Sequence, residues 1–131
     1  MKDTLNPKKK SILIIEDNEI NRDIISRYVR KYFDPDLASN PDEALKKLFE
    51  KQYDVILMDI NLGAEKSGID LIQIIRKEEQ FKDLPVIAIT GYSLFGDREK
   101  ILSYGFNYYL PKPFEKQDLL YLLNTIFHFE D

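Results

Sequence analysis

Cysteine is absent from all 131 residues, which excludes a disulfide scaffold and a thiolate metal site and agrees with a reducing compartment. One histidine, His128, is the whole imidazole complement, too little for a zinc site; near the end of an apolar helix it reads as a surface or helix C-terminal cation. A basic excess is missing too. The net charge of -4 offers nothing to hold nucleic acid or an anionic membrane, and the one basic run, Lys8-Lys9-Lys10, is short enough to be simply solvated. No apolar stretch approaches the length of a membrane span, and the N-terminus lacks the apolar core of a signal peptide. A cytoplasmic chain with no nucleic-acid partner and no membrane contact is expected.

What is present describes a globular domain. Hydrophobic content of 44% and charged content of 32% are ordinary for one, and the length fits a single domain with a sizeable core. Residues 1–10 are polar, contain Pro7, and read as a flexible tail or linker remnant; residues 11–131 read as the domain. Within it, short apolar runs alternate with amphipathic stretches. Strands are expected at Ile12–Ile15, Asp36–Ala38, Val55–Met58, Pro85–Thr90 and Asn107–Leu110. "ILII" and "VILM" are apolar at every position, the pattern of central parallel strands covered on both faces.

Helices are expected between them. Glu19–Tyr32 carries Ile20, Ile24, Ile25, Tyr28 and Val29 along one stripe. Asn40-Pro41 opens the second helix as N-cap and first-turn proline. Gly68–Gln80, Leu94–Tyr104 (closed by Gly105) and Glu115–Phe129 complete the set. Five βα units, too few for an eight-fold barrel, imply an open parallel sheet with helices on both faces. A ligand site then lies outside the carboxyl ends of the strands.

The residues after each strand carry the chemistry. Glu16 and Asp17 follow the first, Asp59 the third, Thr90 ends the fourth, and Lys112-Pro113 follows the fifth. Each has a bland explanation: Asp17 as a helix N-cap, Asp59 as a turn residue, Thr90 as a β-branched strand residue, Lys112 as a solvated lysine. All of these must hold at once on one sheet edge, which favours a joint role. Carboxylates gathered there repel unless a cation neutralises them, and oxygen-only ligands suit Mg²⁺. A carboxylate also serves as a nucleophile through aspartyl phosphate, with Mg²⁺, Lys112 and Thr90 placed to stabilise phosphoryl oxygens.

The motifs "IIEDNEINR", "YDVILMDINL", "PVIAITG" and "YLPKPF", in this order and spacing, resemble the receiver domain of two-component response regulators from Lys10 to Phe129. The resemblance implies a flavodoxin-like (βα)5 fold with strand order 2-1-3-4-5. It implies Asp59 as phosphoacceptor, supplied by a sensor histidine kinase or a histidine phosphotransfer protein. Asp17 would hold Mg²⁺ directly and Glu16 through water, with Asp59 and the backbone carbonyl of Asn61 completing the ligands; Thr90 and Lys112 would hold the phosphoryl group, and Lys112-Pro113 would be cis. Thr90 and Tyr109 would form the switch. The fourth helix, fifth strand and fifth helix would respond, with Phe95, Tyr108 and Tyr121 as contacts and a homodimer as one use of that face. Such a domain is not an enzyme in the ordinary sense, catalysing only its own phosphorylation and dephosphorylation.

Some residues depart from the family pattern. The loop "DINLGAEKSG" has Leu62-Gly63 in place of Met-Pro and one extra residue before Gly68, and with "EDNEINR" it resembles receivers of hybrid sensor kinases. Gly91 stands for the usual alanine and Pro111 precedes Lys112. Tyr92 is expected to obstruct the water that hydrolyses the phosphate. A receiver-like interaction module that is never phosphorylated is the alternative, against which the intact Asp17, Asp59, Thr90 and Lys112 argue. An Mg²⁺ hydrolase resembling haloacid dehalogenases would need an aspartate where Asn61 stands.

Overall fold

The computed structural model describes residues 9–60, 67–91 and 97–130. In chain order they form β1 (Lys10–Ile15), α1 (Glu19–Val29), β2 (Phe33–Ala38), α2 (Pro41–Glu50), β3 (Val55–Asp59), α3 (Ser67–Lys77), β4 (Val86–Thr90), α4 (Asp97–Ser103), β5 (Tyr108–Pro111) and α5 (Lys116–Phe127), with a 3-10 turn at Glu79–Phe81. All strand pairs are parallel and the order is β2-β1-β3-β4-β5, a flavodoxin-like doubly wound sheet. Among the described residues no helix is long and apolar enough to cross a membrane.

The uniformly apolar strands follow from the two-residue side-chain period and a cover on each face. Ile12, Ile14, Val55, Leu57, Ile87 and Ile89 pack with Ile25 and Val29 of α1 and Leu119 and Leu123 of α5. Leu13, Ile15, Ile56, Met58, Val86 and Ala88 point the other way, onto Ala44 and Leu48 of α2, Leu71, Ile72 and Ile75 of α3, and Ile101 of α4. Each of these twelve strand side chains is at most 1% exposed. Both faces are core, so only the strand ends remain for chemistry.

Several boundaries differ from the sequence pattern. β1 takes in Lys10, one residue before the domain boundary that polarity alone suggests. β2 begins at Phe33 rather than Asp36, although Asp34-Pro35-Asp36 argues against a strand. It is an edge strand bonded to β1 alone, so the missing N–H of Pro35 is tolerated, and the buried Phe33 ring anchors it between Phe127 and Phe129. α1 stops at Val29 rather than Tyr32. Tyr32 is used in tertiary structure instead, its ring 4.4 Å from that of Phe129 and its hydroxyl donating to Glu130 Oε2 at 2.6 Å. α3 ends at Lys77, where the Arg76 guanidinium donates to the carbonyls of Gly105 and Phe81 and to Asn107 Oδ1. The second helix starts at Asn40-Pro41, with Asn40 Oδ1 accepting from the Glu43 N–H at 2.8 Å.

α5 runs to Phe127 and is closed by His128 in the left-handed region, φ 56°. A side chain there strains the backbone, while glycine adopts that conformation freely. His128→Gly is therefore expected to raise stability by about 0.5–1 kcal/mol, after allowing for the extra chain entropy glycine loses on folding. Urea unfolding measures it, and a destabilised variant would show that the imidazole itself contributes.

Candidate functional site

β1 delivers two acids to the carboxyl edge of the sheet. Glu16 is turned inward, only 1% exposed. Its N–H donates to the Ala38 carbonyl at 3.0 Å, and its Oε2 accepts the Asn18 N–H at 3.0 Å. Its Oε1 is buried without a hydrogen-bond partner. Asp17 is exposed. The N-cap of α1 is Asn18, which accepts the Asn21 N–H at 2.9 Å, so Asp17 is not consumed in capping. Asn18 was visible to sequence reasoning only inside a motif; its backbone grip on Glu16 depends on how the turn closes.

Asp59 ends β3, beside Ile89 in the register of β4, and is 2% exposed. Glu16, Asp17 and Asp59 each bring one carboxylate oxygen into a group whose atoms all lie within 4.8 Å of one another. Burial above all, and then the neighbouring Asp59 carboxyl, push Glu16 up to about 7, against the opposing hydrogen bond from Asn18. A buried like-charge cluster of this kind calls for a cation. Three carboxylate oxygens, one of them buried and unpartnered, with no nitrogen or sulfur donor in the group, fit a hard divalent ion such as Mg²⁺.

One ammonium already balances part of that charge. Lys112 Nζ lies 2.7 Å from Asp59 Oδ2. The Lys112 N–H donates to the Thr90 carbonyl at 2.8 Å, which ties the segment after β5 to the end of β4. Thr90 is fully buried, and the Lys112-Pro113 peptide is cis. After Thr90 comes Gly91, where a Cβ would meet nothing within 4 Å.

Residues from β1, β3, β4 and the segment after β5 thus converge at one edge, as an open α/β sheet arranges them. Tyr109 sits lower on β5, half-buried against the α2–α4 side of the core, while Tyr108 packs on the opposite side. Tyr109 borders a groove of about 700 Å³ shared with Phe114, Gln117 and the exposed Tyr121. Asn61, Tyr92 and Phe95, together with Leu62-Gly63, fall outside the described residues.

The family model for the response regulator receiver domain matches residues 12–124. A hybrid signal transduction histidine kinase of Dictyostelium discoideum is 38% identical over 117 residues, covering 86% of this chain but 3% of that protein. The polar-differentiation response regulator DivK of Brucella anthropi is 34% identical over 105 residues, 79% of this chain and 85% of its own. Among solved structures, the receiver domain of a Pseudomonas aeruginosa sensor histidine kinase, with a magnesium ion coordinated in its active-site cleft, superposes with a TM-score of 0.80 at 34% identity, covering 90% of this chain and 97% of that one. A Vibrio cholerae chemotaxis response regulator, at 23% identity and a TM-score of 0.83, shares the fold over 91% of this chain and 99% of its own. On the matched motifs, the sheet order and the acidic edge together, the chain belongs to the response regulator receiver domain family of two-component signalling.

Proposed function

We propose that the domain is a phosphorylation switch in which Asp59 accepts a phosphoryl group from a phosphohistidine on a sensor histidine kinase or a histidine phosphotransfer protein. The observation that carries this reading is the meeting of Glu16, Asp17 and Asp59 within 4.8 Å, with Lys112 Nζ 2.7 Å from Asp59 Oδ2. An Asp59 oxygen attacks phosphorus, the P–N bond breaks, and the imidazole leaves with the electron pair, giving an acyl phosphate on Asp59. Glu16, Asp17, Asp59 and the Asn61 backbone carbonyl hold Mg²⁺, which when bound offsets negative charge on the transferring group. Lys112 exchanges its contact with the Asp59 carboxylate for one with a phosphoryl oxygen, and the Thr90 hydroxyl hydrogen-bonds another. The chain acts only on its own aspartate. The receiver takes in Lys10 at the start of β1, and the location is cytoplasmic.

Thr90 and Tyr109 carry the response. Thr90, drawn toward the phosphoryl group, vacates space that Tyr109 of β5 turns into, which alters the α4-β5-α5 face and its capacity to form a homodimer. On the other side of the site, Ile24, Ile25, Tyr28, Pro113 and Phe114 line a cleft of about 410 Å³ bordered by Glu16 and Lys112. Ile20 and Ile24 are exposed on α1. That apolar surface supports docking of the phosphohistidine-bearing partner.

Incubation with acetyl phosphate or phosphoramidate, followed by intact-mass measurement, tests the reading. One phosphoryl group gained with Mg²⁺ and none in EDTA is the expected result. A chain that gains nothing under either condition is an interaction module instead.

A further inference from the structure

The segment Glu16–Arg22 contains one basic residue, and neither the metal nor the phosphoryl chemistry uses it. Arg22 lies in the first turn of α1, where a cation opposes the helix macrodipole. It also stands beside a site that is to hold a divalent cation, which it repels. Both effects disfavour arginine at this position; against them stand its attraction to the Glu43 carboxylate and its hydrogen bonds. Among the described residues it forms no ion pair. Its guanidinium instead turns back on the chain: Nη1 donates to the Glu16 carbonyl at 2.8 Å and to the Asp17 carbonyl at 3.4 Å.

These contacts complete a cage around one acid. The Glu16 N–H is held by Ala38, its Oε2 by the Asn18 N–H, and its carbonyl by Arg22. Only Oε1 is left, buried without a partner within the Glu16–Asp17–Asp59 group. We propose that Arg22 is a positioning residue for the cation site, bridging the peptide carbonyls of Glu16 and Asp17 and so fixing the turn that aims their carboxylates at Asp59. The role rests on the Mg²⁺ site described under the proposed function. One nitrogen, Nη1, serves both carbonyls; a lysine carries its nitrogen one bond nearer the backbone on a flexible stem and lacks the rigid plane that holds Nη1 there.

Charge and positioning predict opposite signs, which makes the test decisive. Losing a positive charge near the site tightens Mg²⁺ binding if electrostatics alone matters. Losing the brace weakens it. Isothermal titration of Mg²⁺ into the full chain, with melting temperature in EDTA as the second readout, compares wild type with Arg22→Met, Arg22→Lys and Asp17→Asn. For Arg22→Met the expected result is a Kd raised about tenfold, the lower end of what loss of an outer-shell partner costs, with the EDTA melting temperature nearly unchanged. Arg22→Lys, which keeps the charge, is expected to weaken binding too, and it carries the test if the methionine variant does not fold. An Arg22→Met protein that binds Mg²⁺ as tightly as wild type, or more tightly, overturns the proposal. So does an equal loss of EDTA stability and Mg²⁺ affinity in both Arg22 variants, which would mark a general structural role. If wild type binds and Asp17→Asn weakens binding while Arg22→Met does not, the role of Arg22 alone falls. If wild type binds no Mg²⁺, the metal-site reading falls and the proposal with it.

Discussion

Asp59→Asn is expected to abolish phosphorylation and to remove most of the stabilisation that Mg²⁺ confers. The amide matches the carboxylate in shape, so the packing of a residue that is 2% exposed is kept. Its oxygen is a poor nucleophile, and the side chain no longer carries the charge that a cation would neutralise. In the wild-type chain Mg²⁺ is expected to relieve repulsion among Glu16, Asp17 and Asp59, and binding to the folded state alone raises stability. At ten times its Kd the ion contributes about 1.4 kcal/mol, which shifts the melting temperature by about 3–6 °C in a domain of this size. In the variant only Glu16 and Asp17 remain of the three acids, and the shift is expected to shrink to a small fraction. Intact mass after treatment with a phosphodonor reads the first effect, and melting curves with Mg²⁺ or EDTA read the second. An Asp59→Asn chain that still gains the phosphoryl mass would remove Asp59 as acceptor. One that keeps the full Mg²⁺ shift would remove it from the metal site.

Gly68→Ala is expected to destabilise the fold by about 1–2 kcal/mol and to loosen Mg²⁺ binding. Two effects compete here. Alanine is the better helix former by up to about 1 kcal/mol, but in the first turn of α3 that gain is smaller. Against it, an added Cβ would lie 2.6 Å from Ile60 Cα, and a backbone atom cannot swing aside as a side-chain tip can. Overpacking of this kind costs about 1–3 kcal/mol, so the clash wins. Because Ile60 directly follows Asp59, the displacement is delivered next to the acidic group. Gly91→Ala is the control, since a Cβ there meets nothing within 4 Å. Urea titrations should give a lower midpoint for Gly68→Ala at unchanged slope and a near wild-type midpoint for Gly91→Ala. Equal midpoints for the two variants would show that α3 can lift off Ile60 without cost.

Much of this architecture was legible from local signals. An apolar run covered on both faces declares itself whatever surrounds it, and Asn40-Pro41 marks a helix start through contacts spanning three residues. β2 was half hidden because its Asp-Pro-Asp content speaks against a strand. Its place at the sheet edge and the burial of Phe33, both non-local, make it one. Asp17 had two readings, cap or ligand, that its sequence neighbours do not separate. The observed cap is Asn18, one residue later, a difference set by how the turn after β1 closes.

The sequence by itself determined the alternation of strands and helices, the acids, hydroxyl and ammonium standing at the strand ends, and the preference of such a donor set for a hard cation, because residue type and spacing along the chain carry those properties. Tertiary structure alone decided that Glu16 Oε1 is the unpartnered oxygen, that Lys112 reaches Asp59 across 53 positions, that Gly68 lies on Ile60, and that Arg22 turns back onto Glu16 and Asp17. Those facts are distances between groups brought together by the parallel crossovers or by the turn before α1, and no local pattern contains them.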